Sequence, residues 1–167
     1  MEDVVIVAAA RTAVGKFGGA LAKVAAPDLG ATVIKALLER VGISGDMVDE
    51  VILGQVLTAG GGQNPARQAV IKSGLPIGVP AFVVGKVCGS GLKATHLAAQ
   101  AIRCGDADIV IAGGVESMSR IGMGMAGGSW YMDPSVNFPG YFMPQGVSAD
   151  LIATKYGFSR DDVDAYA

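Results

Sequence analysis

The chain has 167 residues, enough for one ordinary domain with a sizeable core, and 51% of them are hydrophobic against 17% charged. That charged share lies below the roughly 25% usual for soluble domains, so much of the surface expects to be covered, which points to self-association. A net charge of -2, with no Lys/Arg cluster and no aromatic residues interleaved with basic ones, argues against nucleic acid or an anionic membrane surface as partner and leaves a small molecule as the default.

The first apolar run, VVIVAAA at residues 4–10, starts too early to leave room for a charged leader and an apolar signal core. No apolar run approaches ~18 residues, so a soluble, cytoplasmic chain is expected. Like EVILGQV (50–56), AFVV (81–84) and DIVIAGG (108–114), this run is short and continuous rather than alternating, the pattern of strands buried on both faces of a parallel sheet. Between the first two runs, Pro27 and Asp28 introduce an amphipathic helix stripe of Leu29, Val33, Ala36, Leu37 and Val41 that closes at Gly42. A shorter helix follows Pro65. After residue 88, Lys93, His96, Gln100 and Arg103 form one polar stripe on an otherwise Ala/Leu/Ile cylinder, which predicts a nearly buried helix. The order is βαβαβαβ, a layered α/β unit with a right-handed parallel sheet.

From Met118 to Met143 the texture changes: five of seven methionines, the single Trp130, and repeated Gly and Pro without a clear period. This stretch is too long for an idle connection and reads as a functional or assembly loop. A helix capped by Ser148 and stopped by Gly157 is expected next, and SRDD at 159–162 reads as a helix start with Asp162 in the acidic position of a capping box. Only five residues follow Asp162, which is read as a sign of truncation.

Two cysteines, Cys88 and Cys104, make neither a metal-ligand pattern nor a disulfide framework; no metal is expected, and both thiols should be reduced in a cytoplasmic setting. Cys88 follows the run 81–84 and precedes a helix. It therefore belongs at a strand-to-helix turn, where the positive end of the helix dipole favours a thiolate and faces negative charge developing on an attacked carbonyl oxygen. Gly89 and Gly91 allow a tight turn and close approach of a ligand. On its residues alone the turn fits either a nucleophile or a small buried thiol packed at a turn. Cys104, more than about 20 Å along the same helix, reads as a packing residue.

The segment VCGSGLKA resembles the nucleophile segment of the thiolase family, and AARTAVGKFGG (9–19), GQNPARQ (62–68) and GDADIVIAGGVESMSR (105–120) resemble further thiolase signatures in the family's order. The resemblance spans essentially the whole chain. It implies a thiolase-like layered α/β fold: an N-terminal half with a mostly parallel sheet at 1–116, and the start of an irregular loop domain for tetramerisation and the acyl-CoA pocket at 117–167. It implies Cys88 as the nucleophile that forms an acyl-enzyme from acyl-CoA or 3-ketoacyl-CoA, with the backbone of Cys88 and Gly89 supporting the oxyanion. Coenzyme A and acyl-CoA are then substrates, no cofactor is bound, and the assembly is a homo-oligomer, a dimer of dimers. The runner-up reading is a non-catalytic acyl-CoA or lipid-binding module, or a fragment that works only with a complementary half.

The family takes its activating His and a second, acid/base Cys from a C-terminal half, and no motif here matches either; His96, on the polar stripe, is not expected to substitute. Asn64 and Arg67 are candidates for supporting or inter-subunit hydrogen bonds against ordinary loop and helix capping, and Arg11 is read as structural. Glu116 to Arg120 are expected to shape a loop exit. In the Met-rich stretch, Met143, Pro144, Gln145 and Gly146 are candidates for the substrate pocket. Short-chain biosynthetic members carry His-Met before a Gly where Pro144 and Gln145 precede Gly146, which leans toward degradative 3-ketoacyl-CoA cleavage. One departure sits beside the nucleophile: the family pattern usually has Asn three residues before the cysteine, and this chain has Gly85, which removes side-chain hydrogen bonds that would brace the turn.

Overall fold

The computed structural model describes residues 3–167. Its framework runs α1 (Ala26–Val41), β1 (Glu50–Gly54), α2 (Pro65–Ser73), β2 (Ala81–Val84), α3 (Ser90–Cys104) and β3 (Val110–Gly114). The strands form one parallel sheet in the order β2-β1-β3, with Val51 opposite both Ala81 and Ile111, and Gly54 opposite both Val84 and Gly114. Parallel neighbours need crossover helices, and α2 and α3 supply them. All three carboxyl ends therefore open at the same edge.

β1 is the central strand and is buried on both faces, as its unbroken apolar run predicts. Val51 and Leu53 join a core with Ile34 of α1 and Ala66, Ala69 and Val70 of α2, while Ile52 joins Ala94 and Ala98 of α3. Ile34, Val51, Ile52 and Val70 are fully buried, and each stabilises the fold by about 1.5–3 kcal/mol relative to exposure. α1 ends as its sequence predicts: Gly42 takes φ 71° and its N–H closes on the Leu38 carbonyl.

Within this framework the first apolar run and α3 differ from expectation. Residues 4–10 form no strand, and Val5, Ile6 and Val7 remain 72–81% exposed along an apolar groove of about 660 Å³ that also takes in Leu37 of α1 and Ile102 of α3. Apolar composition marks a strand-like segment, but a strand exists only when its backbone pairs with an edge, and none of β1, β2 and β3 pairs with this one. The sheet thus has three strands among the described residues rather than four. Nor is α3 nearly buried. Ser90, Ala94 and Ala98 are covered while Leu92 is 63% exposed, because the sheet takes only one face of the helix.

The described residues up to Ala126 form one compact unit and Gly127–Ala167 a second. Residues after β3 stay with the first unit because Ser117 Oγ donates to the Val24 carbonyl, Arg120 Nη1 donates to that of Lys23, and Ser119 Oγ accepts from the Gly18 N–H. The second unit holds α4 (Ser129–Met132), α5 (Pro134–Gly140), α6 (Gln145–Tyr156) and α7 (Arg160–Tyr166). Trp130 and Phe142 meet edge to face at 6.4 Å. α6 begins three residues before Ser148, with Pro144 as N-cap, because Gln145 to Val147 already take helical conformation and the Ser148 N–H bonds the Pro144 carbonyl; Gly157 closes it as expected. Both halves of the Ser159/Asp162 capping box are made. No helix among the described residues is long and apolar enough to cross a membrane.

Asp49 ties the entry of β1 to that of β3. Its carboxylate accepts from the N–H groups of Ile109 (2.9 Å) and Asp108 (2.7 Å), and its own N–H bonds the Ile109 carbonyl. The Ile109 N–H first, then that of Asp108, holds the Asp49 carboxyl below its ordinary value. A carboxyl lowered in the folded state stabilises it above the unfolded pKa of about 3.9, and that contribution is lost as pH falls through the lowered folded value. Asp49→Asn should therefore reduce the urea midpoint at pH 7, with the gap to the parent closing as pH falls below about 4. A gap independent of pH from 7 to 2 would contradict this assignment.

Candidate active site at the start of helix α3

Five residues, Gly85 to Gly89, connect the end of β2 to the first residue of α3. Within them the Gly89 N–H bonds the Lys86 carbonyl at 3.1 Å and the Ser90 N–H bonds that of Val87, also at 3.1 Å. Ser90 Oγ donates to the Val87 carbonyl at 2.6 Å and accepts from the Lys86 N–H at 2.8 Å. Val87 is held at φ 48°, the left-handed region. For a β-branched residue this is an outlier that costs on the order of 1–3 kcal/mol and persists only where its surroundings impose it.

Cys88 follows directly, one residue before the N-cap Gly89 of a 15-residue helix, and it is exposed. Exposure rules out, within this chain, the packed thiol that the sequence left open. The glycines act differently from expectation. Gly89 sits at φ -84°, so the unusual backbone falls on Val87, and Gly91 uses its missing side chain against the sheet rather than a ligand.

That contact fixes the site. A Cβ on Gly54, at the end of β1, would lie 2.3 Å from the Ser90 carbonyl carbon and 2.4 Å from the Gly91 nitrogen. One on Gly114, at the end of β3, would lie 3.1 Å from the Gly91 Cα. Backbone thus packs on backbone where α3 begins, at the carboxyl edge of the sheet where α/β folds place ligands. Sequence reasoning did not single out Gly54, Gly114 or Ser90. The signal for the first two was visible, since each of the runs 50–56 and 108–114 carries a glycine at its carboxyl side, in EVILG and VIAGG.

Around this junction the other candidates find internal partners. Glu116 accepts from the N–H groups of Val56 (2.9 Å) and Leu57 (3.3 Å), locking the exits of β1 and β3 together, which is the loop-shaping role expected of it. Asn64, itself left-handed at φ 42°, caps α2 by accepting from the Arg67 N–H and donates to the Ala81 carbonyl at 2.9 Å. Arg67 donates to the carbonyls of Val79 and Ile77. Both side chains thus fasten the strand-entry loop of β2 within the chain. Met143, Pro144, Gln145 and Gly146 belong to the second unit, at the start of α6. His96 is exposed midway along α3. Cys104 is exposed too, against the packing role read for it, because it lies in the last turn beyond the buried stripe and directly before Gly105 at φ 77°. Among the described residues no three His, Cys, Asp or Glu side chains gather as a metal site.

The family model described as "Thiolase, N-terminal domain" matches residues 4–167. The chain is 56% identical to an acetyl-CoA acetyltransferase of Pseudomonas aeruginosa, over all of this chain and 46% of that protein. It is 57% identical to one from Chromobacterium violaceum, over 99% of this chain and 45% of the other. A probable acetyl-CoA acyltransferase of Staphylococcus aureus is 47% identical over all of this chain and 46% of its own length. The chain spans about half the length of these curated relatives.

The glycine junction yields a paired prediction. Gly54→Ala should destabilise the chain by about 1–3 kcal/mol or more, because the new methyl collides with helix backbone rather than a movable side chain. Gly85→Ala should be neutral or stabilising by up to about 1 kcal/mol, since its Cβ would meet nothing nearer than the Gln55 carbonyl oxygen at 4.0 Å. Denaturant unfolding of the two variants checks this; equal effects would refute the junction.

Proposed function

The chain belongs to the thiolase family, whose N-terminal domain it carries, and on that premise we propose that Cys88 is the acyl-accepting nucleophile of a CoA-dependent thiolytic cleavage of 3-ketoacyl-CoA, or of the reverse condensation of acetyl-CoA. The observation that carries this reading is the exposed thiol at the N-terminal end of α3, presented by a strained turn at the carboxyl edge of a parallel sheet. A family nucleophile segment folded into a buried, relaxed turn would not support it.

In the cleavage direction the Cys88 thiolate attacks the keto carbonyl carbon, and a C–S bond forms while the carbonyl oxygen becomes an oxyanion. As that oxyanion collapses, the bond between C2 and C3 breaks, and its electron pair leaves on acetyl-CoA as an enolate that takes up a proton. The thiol of a second CoA then gives up its proton to a base and attacks the acyl-Cys88 thioester; the new C–S bond makes acyl-CoA as the C–S bond to Cys88 breaks and its electron pair returns to the Cys88 thiolate. Of the two backbone N–H groups expected at the oxyanion, that of Gly89 already bonds the Lys86 carbonyl, so we assign the Cys88 N–H, backed by the α3 dipole, to this task. No resident cofactor enters these steps.

The sequence holds a single histidine, His96, on the exposed side of α3 eight residues beyond Cys88. We therefore assign the activating base and the second acid to residues outside this chain, as the family's C-terminal half implies, and a dimer-of-dimers assembly to the complete protein. The same observation favours a second reading for the chain alone, a partner that needs a complementary half.

Iodoacetamide labelling with peptide mapping, with and without acetyl-CoA, tests the assignment. Cys88 should label before Cys104, which lies at the carbonyl end of the helix dipole, and acetyl-CoA should protect Cys88 by acylating it. The 167-residue chain alone should show negligible turnover of 3-ketoacyl-CoA. Faster labelling of Cys104 or protection of neither thiol would contradict the role of Cys88, and Cys88-dependent cleavage by the chain alone would contradict a base supplied from outside it.

A further inference from the structure

We infer that Ser90 is the positioning residue for Cys88, an inference that rests on the reading of Cys88 as nucleophile. The two hydrogen bonds of its hydroxyl straddle the cysteine: Oγ accepts from the Lys86 N–H at 2.8 Å and donates to the Val87 carbonyl at 2.6 Å, so the two residues before Cys88 are tied to one after it. The Val87 carbonyl also receives the Ser90 N–H at 3.1 Å, so one residue supplies both of these donors to the peptide that follows the left-handed φ. Ser90 is only 3% exposed, which leaves water little access to replace a missing hydroxyl. Its backbone is anchored in turn, because the Gly54 Cα side packs directly on the Ser90 carbonyl carbon.

The chemistry of the site gives this clamp its use. Without the hydroxyl, the Lys86 N–H loses its acceptor and the short bond to Val87 is lost. Val87 then relaxes toward the extended region that β-branched residues prefer, and the Cys88 thiol swings away from the helix N-terminus. The space beside Gly85, where a bracing side chain would stand, is open, so Ser90 is the side chain that braces the turn. Ser90 touches no reacting atom. It acts through the conformation of Val87, whose carbonyl it holds and whose preceding residue it also binds.

The test uses the 167-residue chain and its Ser90→Ala and Ser90→Thr variants, with iodoacetamide labelling of Cys88 read relative to Cys104 in the same molecule, and hydrogen exchange of the Lys86 amide. In Ser90→Ala the Lys86 amide should exchange about tenfold faster and the Cys88:Cys104 labelling ratio should fall about threefold or more, while Ser90→Thr, which keeps the hydroxyl, should retain both properties. A ratio unchanged in Ser90→Ala would overturn the inference, and so would both cysteines accelerating together, the mark of a residue that only stabilises the fold. If the alanine variant does not fold, the parent chain still decides: a Lys86 amide without protection overturns the clamp. These ratios are read without acetyl-CoA, so a failure of acetyl-CoA to protect Cys88 would count against the nucleophile assignment and not against the clamp.

Discussion

The start of helix α3 lies against the ends of β1 and β3 so closely that Gly54 has no room for a side chain and Gly114 only a tight fit. Gly54 meets the Ser90 and Gly91 backbone and Gly114 meets Gly91, with no side chain between. Side-chain packing leaves a helix some freedom to slide, but backbone packed on backbone fixes both its height and its direction. Everything proposed for Cys88 depends on that placement, since the thiol stands two residues ahead of the helix and takes its bearing from it.

The connection from β2 to α3 then has little slack. Val84 is held in register with Gly54, and Ser90 is pinned by the same glycine, so the five intervening residues must turn sharply. The chain meets this demand by forcing Val87 into the left-handed region and offsetting the strain with hydrogen bonds from the residue that the junction immobilises. The loops on either side are secured independently. Glu116 clamps the exits of β1 and β3, and Arg67 and Asn64 fasten the approach to β2. Strain, fixed helix and clamped neighbours together hold the turn before Cys88 in one backbone conformation, the kind of preorganisation that the proposed nucleophile role calls for.

Much of this was legible in the sequence, and what was not has physical reasons. Helix ends were legible because glycine alone takes the left-handed C-cap cheaply, and Gly42, Gly105 and Gly157 all do so, at φ 71°, 77° and 73°. β1, β2 and β3 were legible as short apolar runs. VVIVAAA has the same composition but gains no partner edge, and pairing is a tertiary fact that composition does not carry. The place of Cys88 between a strand and a helix was legible from the runs on either side of it. Its turn was not: a valine with positive φ defies local preference, so no reading of propensities would place it there, and the serine that holds it looks like any helix N-terminal serine. Gly91, which appeared suited to the turn, serves the helix junction instead.

The backbone of Val87 in solution is the most direct measure of whether the junction presents Cys88 as described. In an NMR study of the chain, the HN–Hα coupling and the Cα and Cβ shifts of Val87 report its φ, and the Cys88 Hβ contacts report its surroundings. A left-handed Val87 with Cys88 free of side-chain contacts is the predicted result. An extended Val87, or a Cys88 packed among apolar side chains, would contradict it.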